Sequence, residues 1–233
     1  MFSAALAGLI VGAVISFVQF FATVPLIQQS EVYERQAATG APPAAHEHAG
    51  AAHDHDKAQS HESEWEPEEG FQRNAFTVAA NILTAIGFAL LLTGIYAIQG
   101  RPVAWREGLL WGLAGFVVFT AAPGLGLPPE LPGMPVAPLT ARQTWWIATA
   151  AATAGGLYLL AFRPAAWAAI LGLAVIALPH LIGAPMAPES HSAVPAALSH
   201  QFVVAVTLTS LLFWALLGVA ASMAFERIAP PAP

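Results

Sequence analysis

Long apolar stretches that carry almost no charge are the feature that most restricts how this chain can fold. They lie at residues 3–27, 76–98, 107–122, 144–162, 165–183 and 201–223. A helix needs about 20 apolar residues to cross the hydrocarbon core of a bilayer. Charged residues make up only 9% of the chain, against about 25% in soluble domains. The sequence therefore predicts an all-α, polytopic membrane protein, with about six transmembrane helices bundled in a lipid bilayer.

One hydrophilic segment divides the chain into three predicted parts. Residues 1–27 form the first transmembrane helix, residues 28–75 a loop rich in histidine and acidic residues, and residues 76–233 a membrane bundle of about five helices. The part at 37–62 is expected to be largely disordered, because it consists mostly of Ala, Pro, Gly, His and acidic residues. The first span is too long for a signal peptide and follows no basic segment, so we expect it to be retained. Whether the short third and fifth spans cross fully stays open.

Basic residues predict the orientation of the chain. Arg101, Arg106, Arg163 and Arg227 lie in short connections on the side that holds both termini, whereas twelve of the fourteen acidic residues lie on the other side. Short connections rich in arginine face the cytoplasm. We therefore expect a protein of the bacterial inner membrane with both termini in the cytoplasm and the histidine-rich loop outside.

A short repeat precedes the third and fifth spans. Residues 101–105 read RPVAW and residues 163–167 read RPAAW, and each following span runs into a Gly/Pro-rich segment, at 123–130 or 179–185. Transporters build sites from interrupted helices in corresponding positions of two repeats, so a duplicated helical hairpin is one interpretation. The other is a tight turn with interfacial Arg and Trp anchors.

Histidines and carboxylates supply the candidate metal ligands. Imidazole and carboxylate groups suit divalent Ni, Co, Zn or Cu, and all eight histidines fall on the side expected to face outward. The candidate metal ligands are His46, His48, His53, His55, His61, His180 and His200, and the supporting candidates are Glu31, Glu34, Glu130 and His191. Weak, exchangeable binding is expected in the loop, because no spacing matches a closed zinc site. Glu130, His180 and His200 are expected to form an inner site.

Polar residues inside the spans have two interpretations, a hydrated route from the loop or hydrogen bonds between helices. The second span carries four polar residues on one helical face, namely Asn74, Thr77, Asn81 and Thr84. The first span adds Gln19. Its other half carries a small-residue stripe, expected to pack against another helix, at Ala4, Gly8, Gly12 and Ser16.

Missing motifs exclude several classes of protein. The sequence contains no GxxxxGK[ST], HExxH or GxSxG pattern, so we do not expect an enzyme. A net charge of −6 argues against binding to nucleic acid. Because there is no cysteine, disulfides and thiolate metal sites are excluded.

Several segments, together with the histidine-rich loop, resemble the CbtA family. They are residues 25–27 and 31–34, the run LPPELPG at 127–133, ARQ at 141–143 with Trp145 and Trp146, and LPHLIGAP at 178–185. The resemblance implies the membrane subunit of a cobalt transporter linked to cobalamin synthesis, acting with a small, histidine-containing single-span subunit of the CbtB type. We therefore predict an uptake transporter for a divalent transition metal, cobalt by resemblance, with nickel or zinc as alternatives by ligand chemistry. The other hypothesis is a metal-binding accessory or sensor protein that transports nothing.

Overall fold

Helices make up the regular structure of the residues that the computed structural model describes, which are 1–40, 67–68, 70–100, 102–187 and 192–228. They are α1 (Phe2–Ala22), α2 (Val24–Gly40), α3 (Phe71–Gln99), α4 (Trp105–Phe116), α5 (Ala122–Gly126), α6 (Leu139–Phe162), α7 (Ala166–Ile182) and α8 (Ala196–Ile228). One π-helical turn, Val117–Ala121, joins α4 to α5. The prediction of an all-α, polytopic membrane bundle is confirmed.

Within the described ranges, five helical segments rather than six are long and apolar enough to cross a membrane: Phe2–Ala22, Phe71–Gln99, Trp105–Gly126, Leu139–Phe162 and Ala196–Arg227. The third predicted span has full length, because α4, the π-helical turn and α5 continue as one helix past Pro123. The fifth predicted span is α7, which has 17 residues. At 1.5 Å per residue it is about 26 Å long, slightly less than the hydrocarbon core of a bilayer.

The first predicted span is interrupted at Thr23, and part of the predicted loop is helical. α1 ends at Ala22, and α2 runs from Val24 to Gly40, so it includes the beginning of the segment expected to be a loop. Pro25 explains both observations. It cannot donate a hydrogen bond within a continuous helix, but it is well tolerated in the first turn of a new one.

Glycines bring α1 and α3 into direct backbone contact. A Cβ atom on Gly8 would lie 2.5 Å from Ile86 Cα, and one on Gly12 would lie 2.6 Å from Ile82 Cα. The two helices are antiparallel, since the contacts run up α1 and down α3. The small-residue stripe of α1 is therefore a packing surface, as the sequence predicted.

Two further helix pairs also pack closely through glycine. On α4, a Cβ at Gly112 would lie 2.2 Å from the carbonyl oxygen of Trp214 on α8. Between α6 and α7, a Cβ at Gly156 would lie 2.6 Å from the carbonyl oxygen of Gly172. In each pair the absence of a side chain allows the backbones to approach closely.

The helices form a continuous arrangement in which α1 packs between α3 and α8, α8 also packs on α4, and α6 packs on α7. The π-helical turn and α5 join α6 to the remainder. In the described part of the chain, α3 and α4 share no comparable interface, so the two RPxAW segments do not introduce equivalent hairpins. Trp105 and Trp167 are 51% and 62% exposed, in keeping with interfacial anchors. We call the end where α1 terminates and α3, α6 and α8 begin the α2 end.

Candidate functional site

A polar cavity of about 410 Å³ lies at the α2 end, between α1, α2, α3 and α8. Its walls carry amide, hydroxyl and charged groups from all four helices. The residues that line it are Gln19, Thr23, Val24, Ile27, Gln28, Glu31, Arg35, Gly70, Arg73, Asn74, Thr77, Phe202, Val206, Thr209 and Ser210. Polar groups inside a membrane bundle require partners or water, and this cavity gathers several of them at one end of the helices.

An ion pair between α2 and the start of α3 lies at the mouth of the cavity. Both guanidinium nitrogens of Arg73 contact the carboxylate of Glu31, with Nη1 3.3 Å from Oε2 and Nη2 beside Oε1. Hydrogen bonding to Arg73 lowers the pKa of Glu31, burial opposes this shift, and the positive charges of Arg73 and Arg35 reinforce it. A bidentate pair of this kind fixes geometry as well as charge. It therefore links α2 to the start of α3.

A hydrogen-bonded group lies next to the cavity on its inward side. Asn81 Nδ2 of α3 donates to Gln19 Oε1 of α1 at 2.7 Å and to Ser16 Oγ at 3.1 Å. Ser16 Oγ in turn donates to the carbonyl oxygen of Gly12 at 2.8 Å. Beyond this group the α1–α3 interface is tightly packed through Gly12 and Gly8. Asn81 and Gln19 therefore mark the inner limit of the polar region.

The two Gly/Pro-rich segments also meet at the α2 end, on the far side of the π-helical turn. The indole Nε1 of Trp145 on α6 donates to the carbonyl oxygen of Pro179 on α7 at 3.3 Å. A Cβ on Gly126, the last residue of α5, would lie 2.3 Å from the same indole ring and 2.9 Å from Ala184. Trp145 thus joins the ends of α5 and α7.

The sequence matches the family model described as "Probable cobalt transporter subunit (CbtA)" over residues 1–226. The chain belongs to the CbtA family. No curated protein and no solved structure matches it. The CbtA assignment agrees with the multi-pass helical bundle and with a role as one subunit of a transporter for cobalt.

The structure brings together some of the site residues predicted for this CbtA chain. Gln19 and Glu31 line the cavity, and Asn81 lies directly behind it. Thr84 does not belong to this group, because its side chain is exposed on α3 outside the cavity. The buried face of α3 continues from Asn81 to Ala85 instead. Glu34 is exposed on α2, next to Gly133, where a Cβ would lie 3.1 Å from Glu34 Cβ.

The predicted inner site of Glu130, His180 and His200 is not assembled. Glu130 Oε2 lies 2.7 Å from Arg142 Nη2 in an ion pair. The half-buried ring of His180 meets the Trp145 ring edge-on at 5.7 Å, and His200 is exposed near the start of α8. Among the described residues no group of three or more His, Asp or Glu side chains is placed to hold a metal ion. The remaining candidates, His46, His48, His53, His55, His61 and His191, lie outside these residues.

Several residues that line the cavity were not predicted from the CbtA sequence. Arg73 falls within the segment predicted to be a loop, residues 28–75, although it directly precedes Asn74 of the polar face. Thr209 and Ser210 line the cavity from α8, and Thr209 is 5% exposed. Their positions in an otherwise apolar span were the available signal, but only the packing of α8 against α1 shows that they face Gln19 and Thr23.

Proposed function

We propose that this chain is the membrane subunit through which cobalt enters the cell, and that the ion enters the bundle through the cavity between α1, α2, α3 and α8. The observation that carries the proposal is a polar cavity within a chain of a cobalt transporter family. In the proposed orientation the α2 end faces outward and both termini are cytoplasmic. The membrane is the bacterial inner membrane.

The histidine-rich segment supports a collecting role ahead of the cavity. Residues 41–70 connect α2 to α3, two of the helices that line the cavity, and they contain all five loop histidines. Many weak imidazole and carboxylate ligands raise the local concentration of a divalent ion without a fixed site. Glu34, His180, His191 and His200 extend this outer ligand supply, and a small single-span CbtB-type subunit is the proposed partner.

Uptake of radioactive cobalt by cells that lack other cobalt importers tests the proposal. Expression of the chain with its partner subunit is expected to produce saturable uptake. Asn81→Leu, which removes the hydrogen bonds to Gln19 and Ser16, is expected to reduce the maximal rate strongly. Thr84→Leu is the matched control, because it changes a polar residue of the same helix outside the cavity. Equal uptake by wild type and Asn81→Leu would contradict the assigned route.

A second candidate function is a metal-binding accessory or sensor protein that transports nothing. The observation that favours it is the absence, within the described ranges, of a three-ligand metal site in the bundle. Purified protein in liposomes distinguishes the two functions. Cobalt flux into the lumen supports the transporter, whereas binding at the surface without flux, with and without the partner, supports the accessory.

A further inference from the structure

The four helices around the cavity pack against one another in every pair but one. Helix α1 packs on α2, α3 and α8, and α8 also packs on α2 and α3. Within the described ranges, α2 and α3 share no comparable interface. The link that the structure shows between them is the ion pair of Glu31 and Arg73, in which Arg73 Nη1 lies 3.3 Å from Glu31 Oε2. The side of the cavity between α2 and α3 is therefore closed by polar side chains and not by packed helices.

Polar groups face each other across this side of the cavity. From α2 the wall includes Gln28 and Glu31, and from the beginning of α3 it includes Arg73, Asn74 and Thr77. A hydrogen bond between two protein groups is exchanged for hydrogen bonds to water when the groups separate, so its net contribution is small. Separation of α2 from α3 therefore costs much less free energy than separation of two apolar surfaces.

The other side of α2 is held by apolar contacts. Leu26 and Ile27 pack against a cluster from α8, the residues just before it, and the segment between α5 and α6. The buried members of this cluster are Leu131, Val194, Leu198 and Phe202. Exposure of buried apolar side chains to water is unfavourable in proportion to their area. The contact of α2 with this cluster is therefore firmer than its link to α3.

The connection between α1 and α2 allows α2 to turn. Thr23 lies between the two helices, and its carbonyl oxygen accepts hydrogen bonds from the backbone N–H groups of Leu26 and Ile27, each at 3.1 Å. Pro25 has no N–H group, so it cannot continue the hydrogen bonding of α1 into α2. Helices bend at interruptions of this kind. Thr23 is therefore the point about which α2 changes direction at low cost.

We propose that the pair of Glu31 and Arg73 is a gate, and that its rupture lets α2 turn about Thr23 and opens the cavity between α2 and α3. The pair suits this role because its side chains are partly exposed, 20% for Glu31 and 38% for Arg73, and a solvated ion pair is weak enough to break repeatedly. As a control of entry, this inference rests on the proposed function. The gate itself does not depend on what enters, so it is tested without a metal.

Labelling of a single cysteine inside the cavity by N-ethylmaleimide, an uncharged thiol reagent, tests the gate. The chain has no cysteine of its own, so Ser210→Cys on the α8 wall provides the only thiol. We expect slow labelling of this purified protein in detergent. Glu31→Gln together with Arg73→Met removes the pair without a change in net charge. It is expected to speed labelling about fivefold, the effect of one hydrogen bond. Exchange of the two residues, Glu31→Arg with Arg73→Glu, is expected to restore slow labelling.

Two reference positions complete the test, because Thr140→Cys is exposed at the start of α6 and Thr149→Cys is fully buried on the same helix. With the pair intact, labelling of Ser210→Cys as fast as that of Thr140→Cys would show an open cavity and overturn the inference. An unchanged rate after removal of the pair, or a rise that the exchanged variant does not reverse, would also overturn it. A parallel rise at Thr149→Cys would overturn it as well, since it reports a general loosening of the bundle. If the gate passes these tests but cells take up no cobalt, the proposed function fails and the gate does not.

Discussion

Gly12 of α1 and Ile82 of α3 approach so closely that a Cβ on Gly12 would lie 2.6 Å from Ile82 Cα. The neighbouring atom belongs to backbone and cannot move aside like the end of a flexible side chain. This contact closes the bundle directly below Gln19 and Asn81. It therefore limits the depth of the cavity and, together with the contact at Gly8, brings the backbones of α1 and α3 together.

Gly12→Ala is expected to destabilise the protein by about 1–3 kcal/mol, the usual cost of overpacking a tight interface. The matched control is Gly87→Ala, since a Cβ on Gly87 of α3 would meet no atom of another described helix within 4 Å. The midpoint of thermal unfolding in detergent measures both effects. A Gly12→Ala midpoint equal to that of Gly87→Ala would contradict the close contact.

Glu31→Gln is expected to reduce stability at pH 7 but not in acid. Because its partner Arg73 lowers the pKa of Glu31 from 4.5, the ion pair stabilises the folded state above pH 4.5. This contribution is lost as the pH falls through the lowered pKa. Unfolding midpoints of wild type and Glu31→Gln should therefore converge in acid. Glu34→Gln, an exposed change on the same helix, controls for the loss of charge, and a gap that persists in acid would argue against the ion pair.

Trp145→Phe is expected to lower the free energy of unfolding by about 1 kcal/mol. It keeps an aromatic ring but removes the hydrogen bond to the Pro179 carbonyl oxygen. Trp146→Phe is the neighbouring control, since Trp146 is 36% exposed and stacks on Phe119. Thermal unfolding measures the difference. Near-equal midpoints for the two variants would show that the indole N–H does not hold α7 against α6.

Glutamine in place of the five loop histidines is expected to raise the cobalt concentration at half-maximal uptake while the maximal rate stays unchanged. These histidines are His46, His48, His53, His55 and His61. The expected increase disappears below about pH 6, because protonated imidazole cannot bind metal. Uptake of radioactive cobalt at pH 7.5 and pH 5.5 measures both effects. A lost maximal rate at pH 7.5 would instead place these histidines on the route itself.

The helical architecture could be predicted because apolar length and spacing are local properties. The stripe at Gly8 and Gly12 was predicted correctly as a packing surface for the same reason. Thr84 was predicted to share the inward face of Asn81, but it is exposed. Helical periodicity allows a step of three residues, to Thr84, as readily as the step of four that leads to the buried Ala85. Only the position of α1 against α3 decides between the two steps.

The candidate site was predictable only in part. Gln19 and Asn81 were visible as polar residues in apolar spans, but Glu31 and Arg73 are 42 residues apart in sequence, and the chain between them gives no sign that they meet. The predicted inner site of Glu130, His180 and His200 is not assembled, because residues at the same end of a bundle need not lie close together. Arg142 and Trp145 provide closer partners for Glu130 and His180.

The contact between α1 and α8 has a consequence for how the protein is made. Helices α1 and α8 share the wall of the cavity, and Gln19 and Asn81 are synthesised long before Thr209. Until α8 packs against them, Gln19 and Asn81 rely on the hydrogen bonds that join them and Ser16, because lipid offers polar groups no partners. The cavity is therefore complete only once α8 has packed against α1, and the half-formed wall is an open, polar helix pair until then.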